Sequence, residues 1–160
     1  MTSTQLFSLE GKIAIITGGS RGLGREMALA FADHGADVVI ASRKVENCEI
    51  VANEIRAKGR RALAIGYHAA SWADADSLAE QAIAHFGHID VLVNNAGMSP
   101  LYSSLVEVSE ELYDKVLGVN LKGPFRLSTL IATHMCKAQS DGTVRGGSII
   151  NVSSIASQRP

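Results

Sequence analysis

The sequence predicts an α/β fold built on a doubly wound parallel sheet, and three observations lead there. Short apolar, β-branched runs alternate along the chain with amphipathic helical segments, the order that builds crossover units. The runs are apolar throughout, which marks strands covered on both faces. The first run passes directly into a glycine-rich turn and then a helix, the context a dinucleotide-binding turn requires.

The elements follow in order. Lys12 to Ile16 reads as a buried strand, and Thr17-Gly18-Gly19-Ser20-Arg21-Gly22-Leu23-Gly24 as the turn. Glycines 18, 22 and 24 remove the Cβ atoms that would keep a pyrophosphate from the backbone and the helix from the strand. The helix start then offers unpaired N–H groups and a positive dipole end to an anion. That helix is expected to turn Met27, Ala30, Phe31 and His34 to one face and to stop at Gly35. Asp37 to Ser42 is the second strand, and its end bears on which dinucleotide fits. An NAD site places a carboxylate there for the ribose 2′-hydroxyl. Ser42 and Arg43 stand there instead, so a 2′-phosphate meets no repulsion, and Arg43 with Arg21 gives it two guanidinium partners. The cofactor expected on these residues is NADP.

Glu46 to Lys58 reads as a helix with Cys48, Val51 and Ile55 on one side, ending at Gly59. Arg61 to Gly66 is a third strand, followed by Tyr67-His68-Ala69-Ala70-Ser71-Trp72. Ser71-x-x-Asp74 has the form of a capping box and opens a helix to Phe86 with Leu78, Ala82, Ile83 and Phe86 inward. Ile89 to Val93 is a fourth strand running into Asn94-Asn95-Ala96-Gly97, with amides at a buried strand end that demand partners. Met98 to Val108 is a loop on the ligand side of the sheet, and Ser109 caps the next helix. Gly118, Asn120, Gly123 and Pro124 are expected to break or kink that helix before it resumes from Phe125 to Lys137 on a Leu127, Leu130, Ile131 and His134 face. After a polar turn over Ser140–Gly147, Ser148 to Ser153 reads as a fifth buried strand.

Composition bounds the function. A chain of 160 residues, 46% hydrophobic and 19% charged, is long enough for one domain with a sizeable core. A net charge of −1 without a basic cluster argues against nucleic acid or an anionic membrane as partner. No apolar run reaches membrane-spanning length, and residues 1–10 lack a basic stretch leading into an apolar one. With Cys48 and Cys136 as two isolated thiols, the expected compartment is the cytoplasm. The five histidines lack metal-ligand spacing, and His85 and His88 read as a pair at a helix end, so no metal is expected.

The Gly-x-x-x-Gly-x-Gly turn behind Thr17, together with Asn94-Asn95-Ala96-Gly97, resembles the hallmarks of the short-chain dehydrogenase/reductase family, and the likeness extends over essentially all 160 residues. It implies a Rossmann-type sheet with strand order 3-2-1-4-5, incomplete at its C-terminal edge, so that residues 1–160 form the N-terminal part of a longer oxidoreductase domain. It implies cofactor contacts from Thr17, Gly18, Ser20, Arg21, Gly22, Leu23, Gly24, Ser42, Arg43, His68, Ala69, Asn94, Ala96 and Gly97. An Asp commonly occupies the His68 position and reaches the adenine amine, and this sequence departs from that pattern. Asn120 matches the family's catalytic Asn, which holds a water for a proton relay. By Asn-x-Ser-Ser the catalytic Ser falls on Ser154, with Ser153 as the alternative register. The family's Tyr-x-x-x-Lys pair is absent from residues 1–160, since Ser71, Val106 and Leu117 stand four residues after Tyr67, Tyr102 and Tyr113.

Two readings follow. One is an NADP-dependent oxidoreductase acting on a small carbonyl or alcohol substrate, a homo-oligomer when full length and inactive as this stretch alone. The other is a non-catalytic nucleotide-binding or dimerising module. A sheet ending at its fifth strand is also expected to leave an apolar edge prone to aggregation.

Overall fold

A computed structural model describes residues 6–140, 142 and 146–154. The polar turn expected over Ser140–Gly147 lies partly outside them, as do residues 1–5 and 155–160. In chain order the elements are β1 (Ile13–Thr17), α1 (Gly22–Asp33), β2 (Asp37–Ser42), α2 (Val45–Ala57), β3 (Ala62–Gly66), α3 (Trp72–Phe86) and β4 (Val91–Asn94). A 3₁₀ turn (Leu105–Glu107), α4 (Glu110–Leu117), a π-helical turn (Gly118–Lys122), α5 (Gly123–Ser140) and β5 (Ser148–Asn151) follow.

The strands form one parallel sheet in the order β3-β2-β1-β4-β5, as the resemblance implies. Every residue of β1 is buried because helices cover both faces. The two-residue period of the strand then sorts its side chains. Ile13 and Ile15 join Val39, Leu92, Leu78 and Leu127 on the α3/α5 side. Ile16 joins Val38, Ile40, Val93, Ala28 and Val51 on the α1/α2 side. The sheet runs outward from β1 in one direction through β2 and β3, and in the other through β4 and β5. Its connectivity therefore reverses between β1 and β4, the place where open α/β sheets form a crevice at their carboxyl ends.

Three expectations need correction. The fully buried residues of α1 are Gly24, Ala28 and Ala32; of the expected face, Met27 and Phe31 pack half-buried against the core beside them, while Ala30 and His34 are exposed. Small residues at i, i+4 and i+8 let that helix lie close to the sheet, and closeness to β1 outweighs side-chain size. The fifth strand is exposed along Ser148–Asn151, because no described element covers its far side. Ile149, Ile150 and Val152 are accordingly among the exposed apolar residues. Finally, the glycines and Pro124 do not break the helix. Its hydrogen-bond ladder slips through a π turn and continues, with Leu127 and Ile131 buried beyond it.

Candidate active site

The candidate residues lie toward the carboxyl ends of the strands, around the reversal between β1 and β4. Thr17 closes β1 with only 2% of its surface exposed. Its Oγ1 donates to the Val93 carbonyl (3.3 Å) and accepts from the backbone N–H groups of Asn95 and Ala96 (3.0 Å each). One hydroxyl thus ties the end of β1 to the turn that follows β4.

Asn95 completes that tie and was missed as a site residue in the sequence. Its Nδ2 donates to the carbonyls of Thr17 (2.9 Å) and Gly18 (3.3 Å), so an amide from one turn holds the backbone of the other. The glycines act in this setting, and their roles differ from one to the next. A Cβ at Gly24 would collide with the Gly18 carbonyl oxygen, and it would lie 2.6 Å from Asn95 Nδ2. Gly22 has φ +54° and open space where a side chain would stand, so it is a glycine for conformation and not for room. Gly19, also unassigned in the sequence, has no space for a Cβ against Ile16 and Ile40 (2.9 Å to each).

The start of α1 has no side-chain cap. Its N-cap is Arg21, which makes no side-chain cap hydrogen bond, and its first turn contains no acid. The orphan N–H groups and the dipole therefore face the crevice uncompensated. Arg21 and Arg43 are both exposed, and neither is ion-paired among the described residues. Ser42 ends β2, and its Oγ lies 3.0 Å from Cys48 Sγ and 3.5 Å from the Lys44 carbonyl.

Along the β3 edge, His68 is exposed and its backbone N–H donates to Asp74 Oδ2 (2.9 Å). Asp74 is a second residue whose part the sequence concealed. Ser71 Oγ accepts from the Asp74 N–H (3.1 Å), the expected half of the capping box. The return half differs, since the Ser71 N–H already donates to the His68 carbonyl. The Asp74 carboxylate instead accepts from the Ser71 hydroxyl (2.7 Å) and the His68 N–H. These bonds hold its carboxyl below the usual carboxylate range. Ala69 is buried, and its carbonyl packs so closely on Gly123 that no Cβ fits there.

On the other side of the reversal, Asn94 Nδ2 donates to Asn151 Oδ1 of β5 and to Ser128 Oγ of α5, both at 2.9 Å. Its Oδ1 is buried without a partner among the described residues. Ala96 and Gly97 follow, less buried than the strand they leave. Asn120 projects from the π turn, and both ends of its amide are engaged: Oδ1 accepts from Met98 N–H (2.9 Å) and Nδ2 donates to the Met98 carbonyl (2.8 Å). Its side chain therefore fixes the start of the 98–108 loop. Ser153 and Ser154 follow β5 at this same end, both exposed.

No described tyrosine is set up as an acid. Burial, with Asp74 adding, pushes the Tyr67 phenol up to about 12, while Tyr102 and Tyr113 are exposed. At the opposite end of the sheet, Asp90 accepts from Lys12 Nζ (3.0 Å) and the Ile13 N–H (2.9 Å), with His88 at 3.3 Å. This cluster stitches β1 to β4 far from the crevice.

Known proteins are similar in sequence and fold. The profile of the short chain dehydrogenase family matches residues 12–160. The 2-dehydro-3-deoxy-D-gluconate 5-dehydrogenase of Escherichia coli K12 is 41% identical over 151 residues, 94% of this chain and 56% of that protein. Among solved structures, a metagenomic short-chain oxidoreductase in complex with NADP superposes with a TM-score of 0.87 at 35% identity, covering 95% of this chain and 66% of that one. The 3-ketoacyl-(acyl-carrier-protein) reductase of Brucella melitensis, complexed with NADH, gives 0.87 at 38% identity over 96% and 61%. The chain spans about half the length of the curated relatives it matches.

Proposed function

Because this chain belongs to the short-chain dehydrogenase family, we propose that it is the cofactor-binding part of an NADP-dependent oxidoreductase that interconverts a small carbonyl compound and its alcohol. The observation that carries the cofactor choice is the end of β2. It presents Ser42 and Arg43 with no acid, while Arg21 stands at the uncapped start of α1. Relatives of similar fold bind NADP or NADH, so fold alone does not choose between them.

The crevice fits such a group. The backbone of Gly18 to Gly24 and the orphan N–H groups of α1 would hold the pyrophosphate, with Gly22 leaving open space beside it. Arg43, Arg21 and Ser42 would hold the 2′-phosphate. The His68-Ala69 segment would flank the adenine, with His68 exposed where an acid is common in the family. Ala96 and Gly97 would leave room beside the cofactor ribose, with Asn94 tying β4 to β5 next to them. When bound, the cofactor supplies hydride transfer. Ser154 would donate a hydrogen bond to the substrate oxygen, with Ser153 as the alternative. Asn120 would keep the 98–108 loop in place and hold the relay water. The proton step we assign to a Tyr outside residues 1–160, since no Tyr-x-x-x-Lys occurs within them.

We also assign self-association to the face formed by Leu117, Leu121 and Phe125, all exposed across α4, the π turn and α5. Replacing Leu121 and Phe125 with Glu is expected to convert a sedimenting dimer to monomer; an unchanged sedimentation coefficient would remove that assignment.

The decisive test is titration with NADPH and NADH followed by nucleotide fluorescence. Tighter binding of NADPH is expected, and uptake of neither nucleotide would overturn the reading. Carbonyl reduction by the full-length protein with NADPH, and its absence in residues 1–160 alone, checks the catalytic half.

A further inference from the structure

The first turn of α2 contains a thiol that the cofactor reading does not use. Cys48 is fully buried between α2 and the sheet, with Val51, Ala52 and Ile55 behind it. Its Sγ lies 3.0 Å from Ser42 Oγ and 3.9 Å from the Ile65 carbonyl. Among the described residues Ser42 Oγ has one further partner, the Lys44 carbonyl at 3.5 Å, a long contact for an O–H donor. Around it, α2 starts without a side-chain cap on Lys44, and Arg43 has no ion-pair partner among the described residues.

We propose that Cys48 is a positioning residue for the 2′-phosphate, its S–H donating to Ser42 Oγ so that the serine O–H is left for the anion. This rests on the NADP reading above. Either atom can donate in the 3.0 Å Ser42–Cys48 contact, and the thiol's other acceptor, the Ile65 carbonyl, is more distant at 3.9 Å; we assign the thiol proton to Ser42. The serine proton is then directed at Lys44 only through the 3.5 Å contact, which a phosphate oxygen displaces readily. Burial pushes the Cys48 thiol up, so it stays protonated and neutral at neutral pH. A thiolate in that position would accept the serine proton and repel the phosphate, and an apolar residue would leave Ser42 free to rotate toward Lys44.

The test separates this role from packing. NADPH and NADH are titrated separately against the wild-type protein and the variants Cys48→Ser, Cys48→Ala and Cys48→Val, with circular dichroism confirming that each is folded. Cys48→Val fills the volume without a donor, Cys48→Ala removes both, and Cys48→Ser keeps a donor. The expected result is a roughly three- to tenfold weakening of NADPH binding relative to NADH in the Val and Ala variants, the worth of one ordinary hydrogen bond. Cys48→Ser should keep the wild-type ratio. An unchanged ratio in the Val and Ala variants, or the same loss in the Ser variant, overturns the inference while leaving the NADP reading intact. Failure of the wild-type protein to bind either nucleotide overturns both.

Discussion

Replacing Thr17 with Val removes one oxygen from a side chain of nearly the same shape, and the structure allows the cost to be worked out. Three bonds disappear, but they are not equal. The Asn95 N–H retains the Val93 carbonyl, to which it already donates at 3.1 Å, so it is only weakened. The bond from Thr17 Oγ1 to Val93 is long at 3.3 Å and its loss is minor. The Ala96 N–H, however, has Thr17 Oγ1 at 3.0 Å as its partner and is left without one. An unpaired buried donor costs about 1–3 kcal/mol, and half-burial of Ala96 places it toward the low end. Adding about 0.5 kcal/mol for the weakened bonds gives a destabilisation of about 2 kcal/mol. For a domain of this size that is a fall of about 4–8 °C in Tm. In urea it is a shift of about 1 M in midpoint for a slope of about 2 kcal/mol per M. Thr17→Ser keeps the oxygen and loses one methyl group, about 1 kcal/mol. Thermal and urea unfolding followed by circular dichroism, with hydrogen exchange at the Ala96 amide, would measure both variants. Thr17→Val should lose more stability than Thr17→Ser and should alone speed Ala96 exchange. Equal stability loss with Ala96 protection unchanged would refute the tie between the two turns.

Other outcomes follow from the same geometry. Gly24→Ala drives a methyl group into the Gly18 carbonyl and Asn95, so the turn must shift and nucleotide uptake should fall at least tenfold. Gly22→Ala meets only open space, so its cost is the backbone's, about 1–2 kcal/mol in the unfolding free energy. Calorimetric titration of the two variants distinguishes collision from conformation, and equal binding losses would contradict the assignment. Arg43→Ala combined with Ser42→Asp should move preference from NADPH toward NADH, and an unaltered NADPH dissociation constant would remove the 2′-phosphate argument. Burial, with His88 and Lys137 adding, holds the His134 imidazole below its ordinary value. A depressed histidine binds its proton in the unfolded chain first. Its share of stability is therefore intact above about pH 6.5, is lost as the pH falls below that value, and levels off beneath the folded pKa. His134→Leu should flatten that limb of the pH–stability curve, and an identical curve in the variant would show that another group titrates there.

Much of this was legible in the residues themselves. Apolar runs, helix caps and a glycine turn are local signals. They placed the strands to within a residue or two and located the caps at Ser71 and Ser109, while the strand order came from the family resemblance. The position of Ser42 and Arg43 at the end of β2 was legible for the same reason, since a strand end is a local feature. What stayed hidden depended on partners distant in sequence. Asn95 reads as one of two adjacent amides until the fold sets Thr17 and Gly18 against it. The sequence cannot say which amide faces β5 and which faces the turn. The small-residue face of α1 was obscured because periodicity ranks side chains by size, whereas the helix packs by how closely it approaches β1. Asn120 was found, but only the tertiary structure engages its amide with Met98, across 22 residues of chain.

Local propensity and pattern therefore determined that this chain folds as a parallel α/β sheet with a glycine-rich turn after its first strand. Only the packed structure decided how the turns after β1 and β4 lock together, which glycines are required for room, and which buried thiol stands behind Ser42. Those features are contacts between segments far apart in the chain, and their energies exist only once the sheet has brought the segments together.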